Sequence, residues 1–136
     1  MGGIVLTLGY IFATIAALVH VLIFLMESVF WSRPAVWKRF GLRSQDEANT
    51  VRPMALNQGF YNLFLSIGVG VGLVLLATPT LNFGASIIVF FSVACMLAAS
   101  LVLVITNRRL ARAALTQGLF PLLAIVFLVV YYAIAY

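Results

Sequence analysis

The sequence predicts an all-α polytopic membrane protein: four transmembrane helices in one compact bundle, with a short interfacial helical segment between the first and the second. Three observations carry that prediction. Of the 136 residues, 65% are hydrophobic and 8% charged, against roughly 25% charged in a soluble domain. Four apolar runs, Ile4 to Phe30, Met54 to Ala77, Phe83 to Thr106 and Ala113 to Tyr136, each reach the ~20 residues that cross a bilayer as a helix. All eight Lys and Arg fall in two segments between those runs. With a mean hydropathy of +1.18, residues 1–136 hold more apolar surface than one small water-soluble core can hide, so they are read as a single transmembrane domain.

The first span starts without a basic segment and is too long for a signal-peptide core, so it is expected to be retained as a helix. It carries the two costliest polar residues, His20 and Glu27. Seven residues apart at about 100° per residue, they return to nearly the same face. If Trp31 marks the membrane interface, Glu27 lies about 6 Å below it and His20 about 16 Å, near the midplane.

The connection over 31–53 holds Arg33, Lys38, Arg39, Arg43 and Arg52. Pro34 suits the start of a short helix. Trp31, Trp37 and Phe40 alternate with basic residues as in a segment lying among lipid headgroups, which makes Trp31 and Trp37 the expected interface anchors. After Gly41, Ser44-Gln45-Asp46-Glu47 fits a capping box for a second short turn, and Pro53 suits the first turn of the second span.

In the second span, Asn57 and Gln58 are expected about 6 to 8 Å deep and Asn62 about 13 Å deep. Gln58, Asn62 and Ser66 share a face. Gly68 and Gly72 form a GxxxG pair that favours close helix approach, within the chain or in a homo-oligomer through this helix. These glycines lack the strand context of a nucleotide-binding loop. The third span, with Ala94, Cys95, Ala98, Ala99 and Ser100, has no ionisable group before Arg108 and reads as a packing element. Its lone Cys95 has no second cysteine or nearby histidine; no metal and no cofactor are expected. In the fourth span Gln117 lies about 7 Å in from Arg112, and Tyr131, Tyr132 and Tyr136 suit an aromatic belt at the other membrane face. Leu115-Thr116-Gln117-Gly118-Leu119 faintly echoes Leu56-Asn57-Gln58-Gly59-Phe60, but over only a few residues, so chance explains the match better than a parallel two-helix repeat.

The net charge of +5 and the pI near 10.0 signal topology and no nucleic-acid partner, because the N-terminus, the turn at 78–82 and the C-terminus carry no Lys or Arg. The eight-to-none split predicts cytoplasmic connections at 31–53 and 107–112 and both termini outside, in the plasma membrane.

One acid and three amides, Glu27, Asn57, Gln58 and Gln117, are thus expected at one depth, with Tyr61, Asn62 and Ser66 nearer the level of His20. As interhelical glue such amides contribute about 0.6 to 2 kcal/mol each, and Glu27 would snorkel or pair with Arg52 at the boundary. Leucine in place of an acid and an imidazole would cost less, so the pair points instead to a proton relay, an acid/base pair or a ligand site.

The run from His20 to Glu27, then Trp31 and Phe40, then Ala55 to Leu65 with its Asn57-Gln58-Gly59-Phe60-Tyr61-Asn62 core, resembles domain-of-unknown-function family 1304. Gln117 to Pro121 also fits that family's last helix. The resemblance implies four helices and a membrane location, and brings no activity. The family pattern has a second acid just before the histidine, where this chain has Val19, so a two-carboxylate mechanism is not implied. Two analogies set further expectations. Small multidrug-resistance transporters pair a membrane glutamate on the first helix with a proton and a lipophilic cation. Sterol-isomerase-like bundles place acids and amides in a lipid-accessible cavity, where Glu27 or His20 would move a proton on a hydrophobic substrate. A scaffold without chemistry, packing through the second span's glycines, is the third alternative. The favoured expectation is a small lipophilic or cationic ligand, bound or transported at Glu27, His20, Asn57, Gln58, Tyr61, Asn62 and Gln117.

Overall fold

The computed structural model describes residues 2–135; Tyr136 of the expected aromatic belt lies outside them. Four long helical stretches are long and apolar enough to cross a membrane: Gly2–Val29, Gln45–Leu75, Pro79–Thr106 and Arg108–Ala135. The first is the helix α1 (Gly2–Phe24), which widens into a π-helical turn over Leu25–Val29. A short helix α2 (Pro34–Trp37) and a 3-10 turn (Lys38–Phe40) follow. The other spans are α3 (Gln45–Leu75), α4 (Asn82–Thr106) and α5 (Ala111–Ala135), the last two each preceded by a 3-10 turn. Each spanning helix packs on its neighbours in sequence and α5 closes back on α1, while across the diagonal α1 barely touches α4. The result is an up-and-down four-helix ring.

What is buried identifies the solvent. The dry core consists largely of small residues, with Ala13, Ala16, Val69, Val89, Val93 and Ala124 fully covered beside Met96 and Leu128. Large side chains such as Val74, Phe83, Phe91 and Ile105 point outward, each at least two-thirds exposed. In water that arrangement would expose far more contiguous apolar surface than a soluble monomer tolerates. In lipid it follows from helix association by close packing of small residues.

The glycines of α3 serve this packing within the chain. A Cβ on Gly68 would meet the Ser92 hydroxyl, and one on Gly72 would meet the Val89 side chain and the backbone of Ala85 and Val89. Both glycines therefore face α4, the within-chain form of the close approach expected of them. Gly70, with nothing near its missing Cβ, provides the control. Gly72→Ala is expected to destabilise by about 1–3 kcal/mol, because backbone atoms cannot step aside. Gly70→Ala is expected to be neutral or to stabilise by up to about 1 kcal/mol through helix propensity. Unfolding both variants in detergent separates the two.

The connection between the first two spans departs from expectation. The helix of the second span starts nine residues before Met54, at Gln45, and carries Pro53 in its interior. Ser44 caps it, accepting from the Glu47 N–H at 3.1 Å, while Glu47 Oε2 accepts from the Arg43 N–H at 2.8 Å. The capping motif thus opens the spanning helix itself. Pro53 is tolerated because the preceding turns are held from outside. Trp31 and Trp37, only 4% exposed, form a second core with Ala48 and Ala55, flanked by Val36, Phe40, Leu42 and Val51. Trp31 Nε1 donates to the Ala48 carbonyl at 2.9 Å, and Trp37 Nε1 donates to Gln45 Oε1 at 3.2 Å. Both indoles, expected as interface anchors, are buried against the protein itself. They fasten the 30–44 segment onto α3 as a cap over the arginine-bearing end of the bundle.

Candidate functional site

Beneath that cap lies a cavity of about 620 Å³, within the usual range for small-molecule sites. Glu27 enters it from the π-helical turn, Gln58 and Asn62 from α3, and Gln117 from α5. Its deeper wall is apolar, made by Val19, Leu22 and Ile23 of α1 and by Ala99, Val102 and Leu103 of α4. Arg39 and Phe40 reach it from the cap, and Arg112 and Thr116 from the start of α5.

Two helical irregularities lie beside this cavity. At the π-helical turn the Phe30 N–H donates to the Leu25 carbonyl at 2.8 Å, one residue beyond the α-helical partner. Such widened turns recur at functional sites. Pro121 lacks the N–H that an α-helix would give to the Gln117 carbonyl four residues earlier. The close approaches that bring the walls together also match. A Cβ on Gly59 would meet Ser28 and Glu27, and one on Gly118 would meet Ser100. The Gln58-Gly59 and Gln117-Gly118 pairs thus do the same thing on α3 and α5: the glycine admits a serine of a neighbouring helix, and the glutamine borders the cavity.

Glu27 is buried, and its Oε2 accepts from Asn62 Nδ2 at 3.0 Å. The same Asn62 amide donates to the Gln58 carbonyl at 3.0 Å. Below it, the Ser66 hydroxyl lies 2.9 Å from the Asn62 carbonyl and 3.0 Å from the Ala17 carbonyl, sharing one proton between α3 and α1. Glu27 does not pair with Arg52; its protein partner is the amide. Among the described residues its second oxygen has no hydrogen-bond partner, and it has not been shut off by packing, so it remains an acceptor for whatever occupies the cavity.

Three of the expected site residues lie elsewhere. His20 is 1% exposed, packed away from the cavity. Its Nδ1 donates to the Ala16 carbonyl at 2.9 Å, and its Nε2 is buried without a partner. Glu27 stands in the π-helical turn that begins five residues after His20, and of the two only Glu27 borders the cavity. Asn57 and Tyr61 are exposed on the outer side of α3, one residue before Gln58 and Asn62 and hence about 100° away. Tyr61 packs edge-on to Phe64 there, with ring centroids 6.5 Å apart. Arg39, Phe40, Arg112 and Thr116 were not legible as site residues, because their distance in sequence gives no sign that cap and α5 converge.

The Glu27–Asn62 pair makes a stability prediction. Asn62→Leu is expected to cost about 1–3 kcal/mol, since it leaves a buried carboxylate without its donor. Adding Glu27→Leu is expected to recover most of that loss. A double-mutant cycle of unfolding free energies in detergent reads the coupling.

A family model described as protein of unknown function (DUF1304) matches residues 14–129. No curated protein and no solved structure matches the chain.

Proposed function

We propose, for a chain that belongs to the DUF1304 family of proteins of unknown function, that it binds a small lipophilic molecule in the cavity under the 30–44 cap, with a hydrogen-bond donor of that molecule meeting Glu27. The observation that carries this reading is the free carboxylate oxygen on a cavity lined mostly by apolar side chains. A carboxylate that served only to join helices would have both oxygens engaged or packed away, because an open acceptor in an apolar setting is costly. Gln58 and Gln117 border the same space from two helices and supply donors and acceptors for orientation. The arginine-bearing end is taken as the cytoplasmic side of the plasma membrane, on the distribution of Lys and Arg, so the ligand would enter from that leaflet.

The test is a matched pair of probes on the purified protein in mild detergent. Dodecanol is expected to raise the melting temperature more than dodecyl methyl ether, which has the same tail and no donor. That difference should vanish in Glu27→Leu. Equal stabilisation by both probes in both proteins would overturn the reading.

A further inference from the structure

We propose that the ligand of this cavity is an amphiphile with an anionic head, a phosphate or carboxylate, seated at the mouth by Arg39 and Arg112. This rests on reading the cavity as a ligand site and adds the ligand's charge and direction. The lining is ordered along the bundle axis. Arg39 comes from the cap and Arg112 from the first turn of α5, at the arginine-bearing end. Glu27 and Gln117 follow, and the wall then becomes apolar as far as Val19 and Ala99.

Charge decides between an anionic and a cationic head. Two guanidinium groups border the cavity against one carboxylate, and that carboxylate already accepts from an amide. The chain has only three acids. The other two, Asp46 and Glu47, stand in the first turn of α3, where Glu47 accepts from the Arg43 backbone. Among the described residues neither Arg39 nor Arg112 has an ion-pair partner. Two unpaired guanidinium groups are suited to a phosphate or carboxylate, which each binds through paired N–H donors. Arg112 also lies in the first turn of a long helix, whose dipole favours an anion there.

Position decides between a free anion and an amphiphile. Both arginines are exposed, so water competes for a small ion at the mouth. A tail that carries a hydrogen-bond donor opposite Glu27 and is apolar beyond it would satisfy the open oxygen, fill the deeper wall and add the burial that a free ion lacks. The cap holds its arginine in place, since Trp37 and Phe40 on either side of Lys38 and Arg39 both pack into the second core.

The experiment titrates the full chain, in a mild neutral detergent, with dodecyl phosphate, dodecanol, dodecyltrimethylammonium and inorganic phosphate, following thermal stability. Dodecyl phosphate is expected to bind at least tenfold tighter than dodecanol. Arg39→Gln and Arg112→Gln are each expected to weaken dodecyl phosphate about tenfold and to leave dodecanol binding and the unliganded melting temperature unchanged. Equal affinity for phosphate and alcohol, or tighter binding of the ammonium, overturns the anionic head while the cavity reading stands. Inorganic phosphate binding as tightly as dodecyl phosphate overturns the amphiphile. If no alkyl probe binds, the cavity reading fails and this inference with it.

Discussion

Trp31→Ala is expected to lower the unfolding free energy by about 3–5 kcal/mol, as truncating a buried aromatic does. The indole is 4% exposed and joins the cap to the helix it covers. Its ring packs on Phe40 with centroids 5.2 Å apart, and its N–H bonds the Ala48 carbonyl at 2.9 Å. Losing it therefore removes a hydrogen bond and the packing that orders the 30–44 segment. Trp31→Phe keeps most of the packing and is expected to cost only about 0.5–1.5 kcal/mol beyond the lost volume. Unfolding in detergent measures both, and limited proteolysis at the basic residues of the cap adds a local readout. Rapid cleavage at Lys38 or Arg39 in Trp31→Ala is the expected result. An interfacial anchor would behave otherwise: its loss would change membrane partitioning and leave cap proteolysis as in the wild type.

Glu27→Leu is expected to weaken a donor-bearing amphiphile by about ten- to a hundredfold, the equivalent of the 1.5–3 kcal/mol of a hydrogen bond to a charged group. Glu27→Gln keeps an acceptor and loses the charge, so its affinity should fall between leucine and the wild type. The same Glu27→Leu protein is expected to melt at or above the wild-type temperature without ligand, because a buried charge exchanged for a hydrocarbon is often neutral or stabilising. Opposite signs on binding and on stability distinguish a ligand-binding carboxylate from one that holds helices together. Isothermal titration for the first quantity and thermal unfolding for the second supply the comparison.

The four spans are legible because a membrane helix declares itself by length and composition, and because the arginines flank all four spans at one end only. The glutamine-glycine echo between the second and fourth spans also has a structural counterpart, in matched close approaches at Gly59 and Gly118. Misplacement began where local rules admit two outcomes. Pro53 fits the first turn of a helix as well as a tolerated interior site. Only the packing of Ala48 and Ala55 under two tryptophans selects the second. An aromatic and basic alternation likewise describes a segment on headgroups or one folded over its own bundle. Within α3, facing is set by the neighbouring helices. Asn57 and Gln58 are adjacent and equally polar, and only the partner helices decide that Gln58 borders the cavity while Asn57 turns outward. The π-helical turn at Leu25–Val29, which holds Glu27, leaves no mark in composition or periodicity.

Blocking the cavity without touching its polar groups tests the ligand site most directly. Ala99 lies on the deeper apolar wall, and Ala99→Phe would place a ring where the tail of an amphiphile belongs. The expected result is that the variant melts at or above the wild-type temperature on its own and no longer gains stability from dodecyl phosphate or dodecanol. Undiminished stabilisation by those ligands in a well-folded Ala99→Phe protein would contradict the site and leave Glu27 and Asn62 as a contact between helices.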